Sequence, residues 1–452
     1  MRILSVLYFL MFLVSCSEDS GQDDSQPVQN EFSNQLELVK TLGGSQEDDA
    51  LSVVQTQDGN IAILGFTHSN DGDVIGKSTT DSDYWLIKLD QNLEVLWQKI
   101  FGGTSDDRGQ DIVETLDGGF LLSGYSRSDD GDVSQNFGFH DYWVIKLDAS
   151  GEVIWEKNFG FAGNDRSFSV IQTTDGGFFI TGFLDVSASG GQGNDNQIIE
   201  DSTNFPLKHG VGEFWGIKLD PDGQIEWRRY FGGSNNDRSY DVVQAVDGSL
   251  ILVGSSESED FDVTSPKGSY DFWAVKVGLD GEMIWNRNFG GSNIDIGYSV
   301  EKCFGQGYLF AGDTRSSDAD VLEPKGNTDY FLVKFDESGN SIWTKTYGGS
   351  NFDSARTVRE LSSGEILIAG SSRSADMQIS ENFGQNDVWI VKAASNSEFL
   401  SSLSIGGSQI DLANDAIQLD NGTVIVVGSS ESSDHQIIEN KGDKDLLILK
   451  LK

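Results

Sequence analysis

An all-β fold, a seven-bladed β-propeller with four antiparallel strands per blade, is predicted by three features of the sequence. One phrase recurs seven times, each copy holds four strand-like segments, and the last copy lacks a strand that reappears, detached, near the amino terminus. The double glycine of the phrase, or its equivalent, begins at Gly43, Gly102, Gly160, Gly232, Gly290, Gly348 and Gly406. Successive copies are 58 or 59 residues apart except from Gly160 to Gly232, where the third unit carries an insertion. Asp48, Asp107, Asp165, Asp237, Asp295, Asp353 and Asp411 keep the same spacing, as do Lys88, Lys146, Lys218, Lys276, Lys334, Lys392 and Lys450.

The fourth unit shows how each element is read. Residues 240–246 alternate as a strand, and Asp247-Gly248 is a pair that accepts positive φ in a tight turn. Residues 250–254 form the second strand, a polar loop follows, and residues 272–277 form the third. A turn at Asp280-Gly281 leads into the fourth strand, 283–289, which ends in Gly290-Gly291. No stretch sustains helical spacing. The seventh unit stops at "DLLILKLK", and "QLELVKTLGG" from residue 35 looks like its missing fourth strand. Pairing residues 36–42 beside 446–451 would close the ring and leave no exposed edge.

The amino terminus is set apart from this frame. Arg2 precedes an apolar run over residues 3–14, too short to span a bilayer comfortably, so residues 1–15 read as an export signal. Leu13-Val14-Ser15-Cys16 resembles the lipobox of bacterial lipoproteins, which implies cleavage before Cys16 and a lipid on that cysteine. Residues 16–34 are acidic and poor in apolar side chains, as expected of a disordered tether. The propeller then occupies 35–452, with its insertion near 187–209. Cys303 has no partner once Cys16 is lipidated, and it aligns with Thr56, Thr115 and Thr173 as a small buried strand residue.

Against 31 Lys and Arg stand 72 Asp and Glu, a formal charge of -41. Such a surface repels nucleic acid and anionic lipid headgroups. Aromatic residues make up 11% of the chain and recur regularly, so the acidity belongs to a packed fold rather than to a disordered chain.

The strings W-x-K-x-F-G-G-S-x-x-D, V-x-x-x-x-D-G-G-F and D-x-W-x-x-K-L-D-x-x-G resemble the SBBP-type bacterial β-propeller repeat and, more loosely, NHL-type propellers. The resemblance covers about residues 35 to 452. It implies that the strand after Asp237 is innermost, that Trp285 lies on the outermost strand, and that the glycine pair starts the crossover to the next blade. The acidic stretch after Cys16 resembles the surface-export signal of lipoproteins in Bacteroidetes-like bacteria, which implies an outer-membrane lipoprotein at the cell surface. Such repeat families share a fold and no single activity.

A feature present in every blade belongs to the scaffold. In Gly232-Gly233-Ser234-x-x-Asp237 the glycines permit a sharp turn, and Ser and Asp side chains can satisfy loose backbone donors. Trp143 is expected to pack between blades, and Lys146 to pair with an acidic neighbour or reach solvent. The loops after the second strand place Asp71 and Asp73, Asp130 and Asp132, Asp260 and Asp262, and Asp318 and Asp320 two residues apart, the kind of oxygen cluster that Ca²⁺ takes. An Asx-turn in a solvated loop explains the same residues, and Gln197, Gln378 and Gln436 replace the second aspartate elsewhere. The histidines His68, His140, His209 and His435 make no metal-binding pair, and the sequence carries no nucleophile elbow, P-loop or dinucleotide fingerprint. No cofactor is expected apart from Ca²⁺ at those loops. The unrepeated insertion, with Phe205, Lys208 and His209, is the candidate binding loop; Arg228 and Arg229 also stand out, since other units place one basic residue or none there, and a local salt bridge to the acidic surface explains them. The expectation is a monomeric, lipid-anchored, non-enzymatic scaffold that binds a glycan or protein at the cell envelope. The alternative is a polysaccharide hydrolase or lyase with its site at the channel mouth.

Overall fold

The computed structural model describes residues 32–195 and 209–452. Twenty-eight strands, β1 to β28 in chain order, form seven four-stranded antiparallel sheets arranged as the blades of a propeller. The inner strands are β2 (Asp48–Gln55), β6 (Asp107–Glu114), β10 (Arg166–Gln172), β14 (Asp237–Gln244), β18 (Asp295–Lys302), β22 (Asp353–Glu360) and β26 (Asp411–Gln418). In the fourth blade β14 is followed outward by β15 (Leu250–Ser256), β16 (Asp271–Val277) and β17 (Met283–Phe289), which carries Trp285. The ring closes as the sequence predicts: β1 (Leu36–Leu42) pairs antiparallel with β28 (Asp445–Leu451), with Val39 opposite Leu449.

Four details depart from the expected pattern. The inner strand of the fourth blade runs from Asp237 to Gln244, not over 240–246, because the turn already begins at Ala245, whose N–H donates to the Ser249 carbonyl (2.8 Å). Its alternation is also broken by a bulge, since the pairing with β15 skips Tyr240 between Ser239 and Asp241. Cys303 is buried, but it lies in the turn just after β18 rather than within a strand, and burial pushes its thiol up to about 11. Phe32, assigned to the tether, is buried against the closing blade, and its carbonyl accepts Lys392 Nζ–H at 2.7 Å.

The core lies between adjacent blades. Trp143 is fully buried against Leu64, Tyr84 and Leu86 of the preceding blade, and the Tyr84 hydroxyl donates to the Trp143 carbonyl at 2.9 Å. Lys146 reaches back to Asp117 of its own blade's first turn (3.0 Å), as Lys218 does to Asp175 and Lys276 to Asp247. The repeated Asp-Gly turn and the repeated lysine are therefore two halves of one contact.

The blade junction explains the Gly-Gly phrase. Asp237 is fully buried, and its Oδ2 accepts the Gly233 N–H (2.7 Å) and the Ser258 hydroxyl (2.8 Å). Asp48 treats Gly44 and Ser69 in the same way (2.8 Å each). A second buried acid, at the start of the third strand of the preceding blade, converges on the same glycine. A Cβ on Gly43 would stand 2.6 Å from both Asp445 Oδ1 and Asp48 Oδ2, so only glycine fits. One oxygen accepts backbone N–H groups at Asp141, Asp271, Asp329, Asp387 and Asp445, and the Lys77 ammonium at Asp83, while Oδ1 of all six is buried without a partner. Burial, with the facing carboxylate adding to it, pushes Asp445, Asp271 and Asp387 up to about 6. Below about pH 6 a proton on one of the two acids would satisfy the unpartnered oxygen.

These acids have folded-state pKa values above the ordinary carboxylate value, so the native state binds protons more tightly than the unfolded chain. Their contribution to stability is present in mild acid and is lost as pH rises through about 6. We expect the melting temperature at pH 5 to exceed that at pH 8 by several degrees. Asp445→Asn, which makes one junction permanently neutral, should raise it at pH 8 and leave it unchanged at pH 5. A stability maximum at pH 8, or an Asn variant that is destabilised at both pH values, would contradict the shared proton.

Candidate functional site

The seven inner strands line a central channel, and each bulges at the same place. The register shifts fall at Ala50/Ser52, Gly109/Asp111, Ser167/Ser169, Ser239/Asp241, Gly297/Ser299, Ala355/Thr357 and Ala413/Asp415. The extra residue of a bulge has no partner across the ladder, and its side chain is re-aimed. Those residues are Leu51, Gln110, Phe168, Tyr240, Tyr298, Arg356 and Asn414, so no blade but the fourth and fifth shares one. Ring centroids of Phe168 and Tyr240, and of Tyr240 and Tyr298, lie 5.2 Å apart. The guanidinium of Arg356 sits 3.9 Å from the Tyr298 centroid. Solvent in the channel reaches Arg356, although protein surrounds it.

One residue further on, a girdle of side chains ties the blades together. Asp111 Oδ1 accepts the Ser52 hydroxyl (2.7 Å) and Oδ2 the Val170 N–H (2.8 Å). Asp241 accepts the Ser169 hydroxyl (3.0 Å) and the Val300 N–H (2.8 Å). Asp415 accepts the Thr357 hydroxyl (3.1 Å) and the Val53 N–H (3.0 Å), and pairs with Arg359 at 2.6 Å. The girdle itself lines a cavity of about 400 Å³, walled further by Val54, Ile171, Val243 and Ile417 and by Glu301 and Arg359. Burial, then the charges of Asp241 and Asp415, push Asp111 up to about 7, and burial raises Asp241 to about 6. Burial works against the charge on Arg359, but Asp415, Glu301, Asp241 and Asp111 outweigh it and raise its pKa.

The residues singled out from sequence fall elsewhere. In the acidic loops the first aspartate caps the crossover loop: Asp71, Asp130, Asp260 and Asp318 accept the N–H groups of Ser45, Thr104, Ser234 and Ser292 at 2.7–2.8 Å. The second, Asp73, Asp132, Asp262 or Asp320, accepts the N–H of the first glycine at 3.1–3.3 Å. Gln378 and Gln436 do the same through Oε1 at 2.9 Å, because a side-chain amide oxygen accepts as well as a carboxylate. Among the described residues no group of three His, Cys, Asp or Glu side chains is disposed to hold a metal ion.

Of the insertion, Asp185 caps a four-residue helix, α1 (Val186–Ser189), while Phe205, Lys208 and Gln197, like Cys16, lie outside the described residues. His209 stacks on Phe261 (4.7 Å) with its Nδ1 3.5 Å from Glu213 Oε2, and burial holds its imidazole below the ordinary value. Burial and the neighbouring Asp237 push Glu213 up to about 11. Arg228 pairs with Asp195 (2.9 Å) and Arg229 with Glu282 (3.0 Å), local ion pairs with the acidic surface.

The channel residues are absent from the sequence-derived candidates. Their signal is nevertheless present: within a strand that otherwise repeats, the fourth position carries a different kind of side chain in most blades.

If the girdle holds the ring, Asp415→Ala strips two acceptors and leaves Arg359 with only Glu301 at 3.8 Å, with an expected loss of about 3 kcal/mol in urea unfolding. Thr357→Val removes one hydroxyl bond and should lose about 1 kcal/mol. Equal, negligible effects for both would remove the girdle from the account of stability.

No family model matches the chain. Among curated proteins, the regulatory protein FlaEY of Caulobacter vibrioides is 22% identical over 410 residues, 82% of this chain and 40% of that protein, so the chain spans well under half of that relative. Among solved structures, the Pan2 WD40 domain of Neurospora crassa aligns with a TM-score of 0.48 at 10% identity, covering 91% of this chain and 95% of that one. Sqt1 from Chaetomium thermophilum gives 0.46 at 10% identity over 92% and 100%. A DUF4221 family member from Bacteroides vulgatus gives 0.36 at 10% over 93% and 98%. None of these scores bears on activity, and the chain is a seven-bladed β-propeller by its own strand pairing.

Proposed function

We propose that this protein is a lipid-anchored, extracytoplasmic binding scaffold, held to the outer membrane through Cys16 and taking a glycan or protein of the cell envelope at one mouth of its channel. The leader and the Ser15-Cys16 junction support the anchor. The observation that carries the binding role is the arc of Phe168, Tyr240 and Tyr298, unrepeated side chains on a repeated frame, open to the channel. A binding role suits the channel better than hydrolysis, because Asp111, Asp241 and Asp415 already use both carboxylate oxygens to hold neighbouring blades. Catalytic acids need an oxygen free to meet substrate.

Intact mass of the mature protein should show an acylated Cys16 as its first residue; an unmodified cysteine there defeats the anchor. In pull-downs from envelope extracts, Tyr240→Ala with Tyr298→Ala should abolish enrichment of the ligand without lowering the melting temperature. Turnover of any polysaccharide by the unmodified protein, lost in that double variant, would replace the scaffold with an enzyme.

A further inference from the structure

In a chain of net charge -41, cations are expected to be neutralised, and several arginines are: Arg108, Arg228, Arg229 and Arg359 each hold a carboxylate within 3.0 Å. Others, among them Arg127, Arg166, Arg287, Arg315 and Arg373, hold none among the described residues, and two of these unpaired arginines border the aromatic arc. Arg238 and Arg356 are exposed and, among the described residues, likewise form no ion pair. Arg238 lies over the Phe183 ring (4.9 Å), Phe183 packs on Phe168 (5.9 Å), and the rings run on through Tyr240 and Tyr298 to Arg356. The acid that faces Arg356, Asp313, is fully enclosed and accepts the Ser354 hydroxyl at 2.7 Å. An aromatic floor with an exposed guanidinium at each end is thus built across the third to sixth blades, and that of Arg356 is held by Tyr298 and Asp313.

We infer that this arc binds a compact acidic sugar, a uronic acid residue at the end of a glycan chain. The inference rests on the scaffold reading above and names the ligand class. A planar guanidinium offers a pair of parallel N–H donors that match a carboxylate. The ring faces of Tyr240 and Tyr298 offer flat apolar surface to the C–H face of a pyranose, and their hydroxyls can reach its edge. Charge also sets the ligand's size. Screening confines each interaction to about 8 Å at physiological salt, so a carboxylate held against Arg356 is attracted locally. A long polyanion would extend over the acidic surface and be repelled, which disfavours nucleic acid and uniformly charged polysaccharide.

The test is titration calorimetry of the full-length chain in mild detergent with a trisaccharide ending in glucuronic acid, compared with its methyl ester. The acid should bind, and the ester about tenfold more weakly or worse. Arg356→Gln and Tyr298→Ala should each weaken binding by a similar factor, while Tyr298→Phe retains most of it, and all should melt as the unaltered protein does. Equal affinity for acid and ester, unaltered binding by Arg356→Gln, or no binding of the acid overturns the inference. If an uncharged glycan or an envelope protein binds instead and Tyr240→Ala abolishes it, the acidic ligand is wrong and the scaffold stands. If the mouth variants leave every captured ligand in place, both fall.

Discussion

Seven inner strands converge on one channel, and each pairs with a neighbour on only one side, so each presents backbone donors and acceptors to a narrow space. Unpaired strand edges are costly when buried and adhesive when exposed. The girdle answers this constraint. A carboxylate has two oxygens, so one aspartate can bond both flanking blades: Asp111 joins the first, second and third, Asp241 the third, fourth and fifth, Asp415 the sixth, seventh and first. Only the junction between the fifth and sixth blades is left, and there Ser299 Oγ accepts the Val358 N–H at 3.4 Å. Three acids and a serine therefore tie all seven edges. The arrangement buries three carboxylates around the channel; burial first and their mutual charge after it raise Asp111, and an arginine, Arg359, is held among them.

The fold was legible because repetition multiplies weak signals. A single Asp-Gly turn or double glycine says little, but seven in phase specify the blade, and the strand missing at one end and present at the other specifies closure. The contact between Lys146 and Asp117 and the burial of Trp143 were legible for the same reason. The channel was not, because the bulge breaks the period-2 alternation from which strands are read. Tyr240 counts as the first residue of an apolar strand when alternation is assumed, whereas in the structure it is the one residue of β14 left out of pairing. The acidic loops were conspicuous for the opposite reason: paired aspartates look like ligands in sequence, and only geometry shows them capping the Gly-Gly crossover.

Frame and site divide along that line. Each repeated polar residue is committed to a bond that every blade needs, such as Asp237 on Gly233 and Ser258, so it cannot vary without loss of the junction. A bulged side chain is bound by no such demand. It is left out of the ladder, and Leu, Gln, Phe, Tyr, Arg and Asn all serve there, Asn414 donating to Asp49 and Ala50 of the first blade, with the girdle intact one residue later. A ligand without sevenfold symmetry needs an asymmetric surface, and a ring of near-identical blades can supply one only where the repeat leaves the side chain free. The bulge is such a place in every blade, and Phe168, Tyr240, Tyr298 and Arg356 occupy four consecutive ones.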